Sequence, residues 1–311
     1  MYYPSKEEFI AKSKQGNLIP VYKEVLADVE TPVSAFQKID QGEYSYLLES
    51  VEGGEKIGRF SFLGSKPSLI FKSKGKQIEI IRNGKVEKLT VEGNPLDKIK
   101  DLMSKFKFVN LEGLPRFCGG MVGYMGYDTV RFFEKLPDKN PDDLNLPDCI
   151  FILTDTILIF DHVDHKIKVV SNAYIERQKA KERKQISEIY DQSIKKIDLI
   201  IDKLKKGVYE HRTPAAKPGM RRGLKIKSNF TQREFEQAVL KAKEYIKSGD
   251  IIQVVLSQRF ETDLAVSPFD VYRCLRSLNP SPYMFYLKFG ELVLAGSSPE
   301  LHVRCEDGLV E

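Results

Sequence analysis

The stretch NFTQREFEQAVLKAKEYIKSGDIIQVVLSQRF at 229–260, with NPSPYMFYLKF at 279–289, decides the reading of this chain. Thr231 and Glu234 have the spacing of a capping box, in which each side chain accepts from the other's free backbone N–H. Phe230 and Phe235 flank them as a hydrophobic staple. Phe235, Val239, Ala242 and Ile246 recur at helical spacing, and Gly249 stands where a left-handed residue closes a helix. After Asp250 the pattern changes, and 251–256 is a short apolar run rich in β-branched residues that predicts a buried strand. Gln253 interrupts that run, and a buried amide costs about 1–3 kcal/mol when its hydrogen bonds are unmet. Next, 267–278 predicts a helix with Pro268 in its first turn, then 283–289 and 292–296 predict two strands turning at Gly290.

Upstream, short strands dominate. The run YSYLLES at 44–50 is followed by a Gly53-Gly54 loop, then by strand segments at 59–63, 69–71, 77–82 and 86–91, with the hairpin dipeptide Asn83-Gly84 between the last two. Helices are predicted at 5–14, 33–39 and 95–105, and 131–147 reads as a charged surface loop. The glycines of FCGGMVGYMGYD (117–128) fit neither a dinucleotide nor a phosphate-loop pattern and point to close backbone approach in a packed strand. Strands at 150–160 and 166–172 are joined by DHVDH, read as a hairpin turn because no third metal ligand lies near it. A charged helix over 174–206 carries an apolar stripe through Tyr190, Ile197 and Leu204, and 207–227 is an aperiodic basic linker. A meander of strands with helices around it predicts an α+β fold.

With 311 residues, 41% hydrophobic and 30% charged, the chain has room for about two globular domains. The net charge of +5 gathers around the linker, which argues against a nucleic-acid face. Cys118, Cys149, Cys274 and Cys305 form no C-x-x-C pair, and no apolar run is long enough to span a membrane, so the expected setting is cytoplasmic. No carboxylate pair at helical spacing suits a divalent cation, and no Ser/His/Asp or Cys/His arrangement stands out. A strand begun at 300–304, with only a turn and three residues after it, reads as part of a domain that continues beyond 311.

SGDIIQVVLSQRF resembles the opening of the catalytic domain of chorismate-utilising enzymes. LLES at 47–50 and NPSPYM at 279–284 resemble the tryptophan-site motifs of the anthranilate synthase large subunits within that family. The resemblance implies antiparallel sheets packed as a sandwich with helices outside. It also implies an N-terminal domain over 1–206 with the long helix, the linker at 207–227, and the start of a chorismate-binding domain at 228–311. It implies formation of anthranilate and pyruvate from chorismate and ammonia with Mg²⁺, the ammonia coming from a glutamine amidotransferase subunit, and feedback inhibition by L-tryptophan. By the same mapping Ser50, Pro282, Tyr283 and Met284 hold tryptophan, while the Mg²⁺ ligands lie outside this chain, which alone would be inactive. Gln253 matches a position where relatives that add water to chorismate carry a lysine base; an amide has no useful pKa for that role, which points to the aminating branch. The competing readings are an aminodeoxychorismate synthase component, which shares fold and substrate, and a non-catalytic tryptophan-binding module.

Overall fold

In the computed structural model of the chain, residues 1–50, 58–176, 182–207 and 225–311 are described. The Gly53-Gly54 loop, residues 177–181 of the expected long helix and 208–224 of the basic linker lie outside them. The first strands in chain order are β1 (Tyr2–Tyr3), β2 (Leu18–Leu26), β3 (Tyr44–Glu49), β4 (Phe60–Ser65), β5 (Leu69–Lys74), β6 (Gln77–Arg82), β7 (Lys85–Thr90) and β8 (Met121–Met125). They continue as β9 (Cys149–Leu153), β10 (Thr156–Asp161), β11 (Lys166–Tyr174), β12 (Lys227–Ser228), β13 (Phe260–Glu261), β14 (Tyr283–Phe289), β15 (Leu292–Ser298), β16 (Cys305–Glu306) and β17 (Leu309–Val310). The helices are α1 (Lys6–Lys12), α2 (Pro32–Ile39), α3 (Pro95–Ser104), α4 (Arg183–Lys205), α5 (Gln232–Ser248) and α6 (Pro268–Leu278). The chain divides into two compact units, one formed by Met1–Tyr209 with Val271–Glu311 and the other by Glu210–Asp270.

In the first unit an eight-stranded antiparallel sheet has the order β1-β2-β11-β10-β4-β3-β14-β15, and a five-stranded antiparallel sheet has the order β7-β6-β5-β9-β8. They pack face to face, Tyr46, Leu287 and Phe289 from the first meeting Ile70, Val122, Ile150 and Ile152 from the second. The outer faces are covered by helices. Leu102 of α3 packs on Phe71, Ile78 and Ile80, while α4 buries Tyr190, Ile197 and Leu204 and lies along β11 and β2. Phe36 of α2 meets Tyr286 edge-on at 5.5 Å. This is the expected α+β sandwich with helices outside. Strands β14 and β15, which fall in the 228–311 segment, complete the sheet begun by β1–β4.

Local rules account for much of the detail. Asn83 (φ 50°) and Gly84 (φ 76°) are both left-handed, as a two-residue hairpin turn between β6 and β7 requires. The apolar run expected as one strand over 150–160 is two strands in different sheets, because the chain crosses between layers at Thr154-Asp155. The crossing is held by Tyr46, whose buried hydroxyl lies 3.2 Å from Thr154 Oγ1, and by the Asn172 backbone amide donating to the Asp155 carbonyl at 2.7 Å. Tyr174, expected to open the long helix, instead ends β11 opposite Leu18, and α4 starts at Arg183 behind a Glu182–Gln185 capping box. The expected strand at 300–304 is not formed; β16 and β17 make a short hairpin around Asp307 (φ 50°) and Gly308 (φ 82°).

In the second unit α5 carries its predicted ends. Thr231 and Glu234 exchange both capping-box bonds, Phe230 and Phe235 meet at 6.0 Å, and Gly249 is left-handed with φ 81°. The buried strand expected at 251–256 is absent. The segment is irregular, with Ile252 96% and Val255 82% exposed, because it has no strand beside it among the described residues to take up its backbone hydrogen bonds. The stripe on α5 is likewise half-buried at Phe235 and Ala242 and exposed at Val239 and Ile246.

The glycine-rich 117–128 segment is explained by packing at Gly123, where a Cβ would stand 1.8 Å from the Ile150 carbonyl oxygen of the neighbouring β9. Replacing Gly123 with Ala must push β8 from β9 and is expected to cost about 3 kcal/mol, as overpacking does at its upper range. Gly93→Ala, where nothing lies within 4 Å, is expected to leave the melting temperature within about a degree. Thermal unfolding of the two variants checks this, and a Gly123→Ala protein as stable as the Gly93→Ala one would contradict the packing account.

Candidate functional site

The two motifs that lie farthest apart in sequence are neighbours in the sheet. β14 pairs with β3 so that Met284 stands opposite Glu49, Phe285 opposite Leu48 and Tyr286 opposite Leu47. Ser50 follows Glu49 directly and Tyr283 precedes Met284, so both sit at the end of the same ladder. Met284 is buried, whereas Ser50, Pro282 and Tyr283 are half-buried. The turn leading into β14 is fixed to β15, because Ser297 Oγ donates to the Asn279 carbonyl at 2.7 Å and lies 2.7 Å from Ser281 Oγ. The structure therefore brings Ser50, Pro282, Tyr283 and Met284 together. Gln253 belongs to the second compact unit and is exposed, in place of the buried position expected for it.

Glu49, given no role by sequence reasoning, is the electrostatic centre of this ladder. Alternation along β3 turns Tyr46 and Leu48 toward the core between the sheets, and Leu47 and Glu49 toward the helices. Helix α6 covers that outer face. Tyr272 donates its hydroxyl to Glu49 Oε2 at 2.6 Å, and Arg276 donates Nε to the same oxygen at 3.1 Å. The Glu49 side chain is 2% exposed and that of Arg276 37%, so a buried carboxylate is balanced by a guanidinium reaching solvent. Burial and then the Glu49 charge push the Tyr272 phenol far above its ordinary range, so it stays protonated and donates. The only signal in the sequence was the placement of a carboxylate within an apolar strand.

One strand further, Ser61 Oγ lies 2.8 Å from His162 Nε2. Burial lowers the His162 pKa against the opposing pull of Glu49 and Asp161, so the ring is neutral near pH 7. Asp161 is gripped by Arg59 through Nε–Oδ1 at 3.1 Å and Nη2–Oδ2 at 2.8 Å, and it accepts from the Val163 and Asp164 amides. Burial alone would raise Asp161; Arg59 and the two amides bring it below the ordinary carboxylate value. The DHVDH turn is thus filled by protein partners at both Asp161 and His162. Among the described residues no three His, Cys, Asp or Glu side chains gather closely enough to hold a metal ion.

The ladder end carries a hydroxyl at Ser50, apolar side chains at Pro282 and Met284, an aromatic ring at Tyr283 and a compensated buried carboxylate at Glu49.

Residues 43–311 match the family described as chorismate binding enzyme, and the chain belongs to that family. Within it, the chain is similar to anthranilate synthase component 1 of Acetivibrio thermocellus, at 43% identity over 318 residues, covering all of this chain and 62% of that protein. The corresponding protein of Aquifex aeolicus is 44% identical over 309 residues, covering 99% of this chain and 60% of the relative. The crystal structure of anthranilate synthase component I from Streptococcus pneumoniae superposes with a TM-score of 0.62 at 27% identity, covering 92% of this chain and 59% of that one. The chain thus spans about three-fifths of the length of the relatives it matches.

Tyr272→Phe is expected to destabilise the protein by about 2 kcal/mol, because it removes a hydrogen bond to a buried charge. That corresponds to a fall of roughly 4–8 °C in melting temperature for a chain of this size. Combined with Glu49→Gln, the same change should cost far less; equal losses in the two backgrounds would dissolve the proposed pair.

Proposed function

We propose that the protein acts as the large component of an anthranilate synthase, turning chorismate and ammonia into anthranilate, pyruvate and water. In this reading the ammonia is released from glutamine by a partner amidotransferase, and the β3–β14 ladder end is the feedback site for L-tryptophan. The observation that carries it is the pairing of Met284 with Glu49, which sets LLES beside NPSPYM. Two motifs separated by most of the chain and brought into one ladder are favoured as a single site over two unrelated turns. The naming of similar proteins as anthranilate synthase component 1 supports the reaction.

The chemistry of the ladder end fits an aromatic amino acid. Pro282 and Met284 offer apolar contact to an indole ring, and Ser50 a hydroxyl to its polar head. Inhibition then requires tryptophan to favour a state that binds chorismate poorly. Chorismate, a dianion, needs cations, backbone donors or a metal to hold it. Mg²⁺ belongs to the proposed reaction as charge neutralisation at the substrate and leaving group, with ligands outside the described residues of this chain. Gln253 belongs to the proposal as the amide where a lysine base would direct water, leaving ammonia as nucleophile. The three-part division at 207–227 is proposed on the same footing, with 228–311 opening the chorismate-binding domain. Among the described residues no helix is long and apolar enough to cross a membrane.

The chain contains no tryptophan, so free L-tryptophan is its own probe. Excited beyond the tyrosine band, its emission anisotropy is expected to rise and saturate on addition of the chain, with no competition from phenylalanine. Ser50→Ala should weaken binding roughly tenfold, as loss of a hydrogen bond to a charged group does. The same change in a complete enzyme should relieve tryptophan inhibition with turnover retained. A complete enzyme that forms anthranilate without responding to tryptophan would remove the regulatory reading alone; one that aminates chorismate without forming anthranilate would favour the aminodeoxychorismate branch.

A further inference from the structure

Helix α6 is tied to both halves of the β3–β14 ladder end. At its C-terminus it runs directly into NPSPYM: the Asn279 amide closes the last turn on the Leu275 carbonyl at 2.8 Å, and β14 begins at Tyr283. From within the helix, Tyr272 and Arg276 reach Oε2 of Glu49, the residue before Ser50, at 2.6 and 3.1 Å. Helix, turn, β14, its ladder with β3 and the two bonds to Glu49 therefore close a ring. The turn inside that ring is itself held to β15 by the bonds of Ser297 to Asn279 and Ser281.

Tyr272 is the member that spans the ladder. Its hydroxyl donates to Glu49 on β3, while its ring lies against that of Tyr286 on β14, with centroids 5.7 Å apart. One side chain thus touches both of the strands that carry the two motifs. Met284 and Glu49 form the last pair of the ladder, so Ser50 stands one residue past the pairing, next to the held carboxylate. Strand ends open more readily than strand middles, and the bonds to Glu49 oppose that opening. Burial excludes a direct role for either partner: Tyr272 is fully buried and the Glu49 side chain is 2% exposed, so neither meets a molecule docking from solvent. The Glu49 charge is moreover already met by Arg276. What these groups contribute to binding passes through Ser50.

We propose that Tyr272 is a positioning residue of the L-tryptophan site. Acting through Glu49, it holds the Ser50 hydroxyl at the distance from Pro282 and Met284 at which one amino acid meets both, and Arg276 shares the carboxylate. The role rests on the reading of the ladder end as that site, and it supplies an origin for selectivity. The apolar wall is fixed independently, because Met284 also pairs with Ser297 of β15. It receives a ring whether or not α6 is clamped, whereas the polar head is recognised only while the clamp on Glu49 is closed.

Free L-tryptophan reports its own binding, since the chain contains none. Its dissociation constant, read by emission anisotropy well below the melting temperature, is compared for the unaltered chain, Tyr272→Phe, Ser50→Ala and the double variant. Tyr272→Phe is expected to weaken binding roughly tenfold, as loss of the Ser50 hydrogen bond itself does. In the Ser50→Ala background the same change is expected to alter affinity less than about twofold, because the group being positioned is gone. A bond that only stabilises the fold lowers the melting temperature and leaves the dissociation constant of the folded chain where it was. An unchanged constant, or an equal loss in both backgrounds, therefore overturns the positioning role and leaves the tryptophan site standing. Arg276→Gln, at a side chain 37% exposed, carries the same cycle if Tyr272→Phe does not fold. Equal weakening in both backgrounds there would mark a direct contact with the ligand and overturn the role as well. Absence of saturable binding to the unaltered chain removes the site, and the positioning role with it.

Discussion

The pairing of β3 with β14 is the constraint on which the rest of the first unit depends. It joins the start of the chain to residues near its end, and Glu49 locks its register. Because side chains alternate between faces, a slip of one residue would turn Glu49 inward, toward Tyr46 and Ile152 in the apolar space between the sheets. An unpaired carboxylate there is far more costly than moving any one apolar side chain of β3 out to the helix-covered face. In the native register it faces outward, where Tyr272 and Arg276 meet it and thereby dictate where α6 docks. A single ionised side chain thus sets both a strand register and a helix position.

The polar groups along the neighbouring strands follow the same logic at lower stakes. Asp161 combines burial with Arg59 and two amides, and His162 is neutral against Ser61. Each is satisfied by strands or turns next to it in the sheet, so this end of the sandwich is held by hydrogen bonding as well as by apolar packing. Such satisfied polar networks rigidify the strands they join.

What was legible in the sequence was local. The ends of α5, the Asn83-Gly84 turn and the glycine turn between β14 and β15 depend on residues a few positions apart, and their chemistry was readable directly. The motifs of the proposed site stand out only through resemblance, since nothing local marks Ser50 or Met284 for such a role. The long run at 150–160 hid a change of layer, because an apolar strand reads alike in either sheet. The role of Glu49 was hidden because Arg276 lies 227 residues away in sequence. The exposed conformation of Gln253 was illegible for the opposite reason: its run has every intrinsic preference for a strand, and a strand exists only when another lies beside it.

The span of the β3–β14 pairing also bears on how the protein is made. Strand β3 leaves the ribosome well before its partner, and at about 5–20 residues per second the intervening two-hundred-odd residues take on the order of 10–50 s to synthesise. During that interval β3 is the open margin of a growing sheet, with a backbone ready to pair and an apolar face on each side. Its charged terminus at Glu49 then acts as a gatekeeper, discouraging attachment of a foreign strand until β14 and α6 arrive with Tyr272 and Arg276.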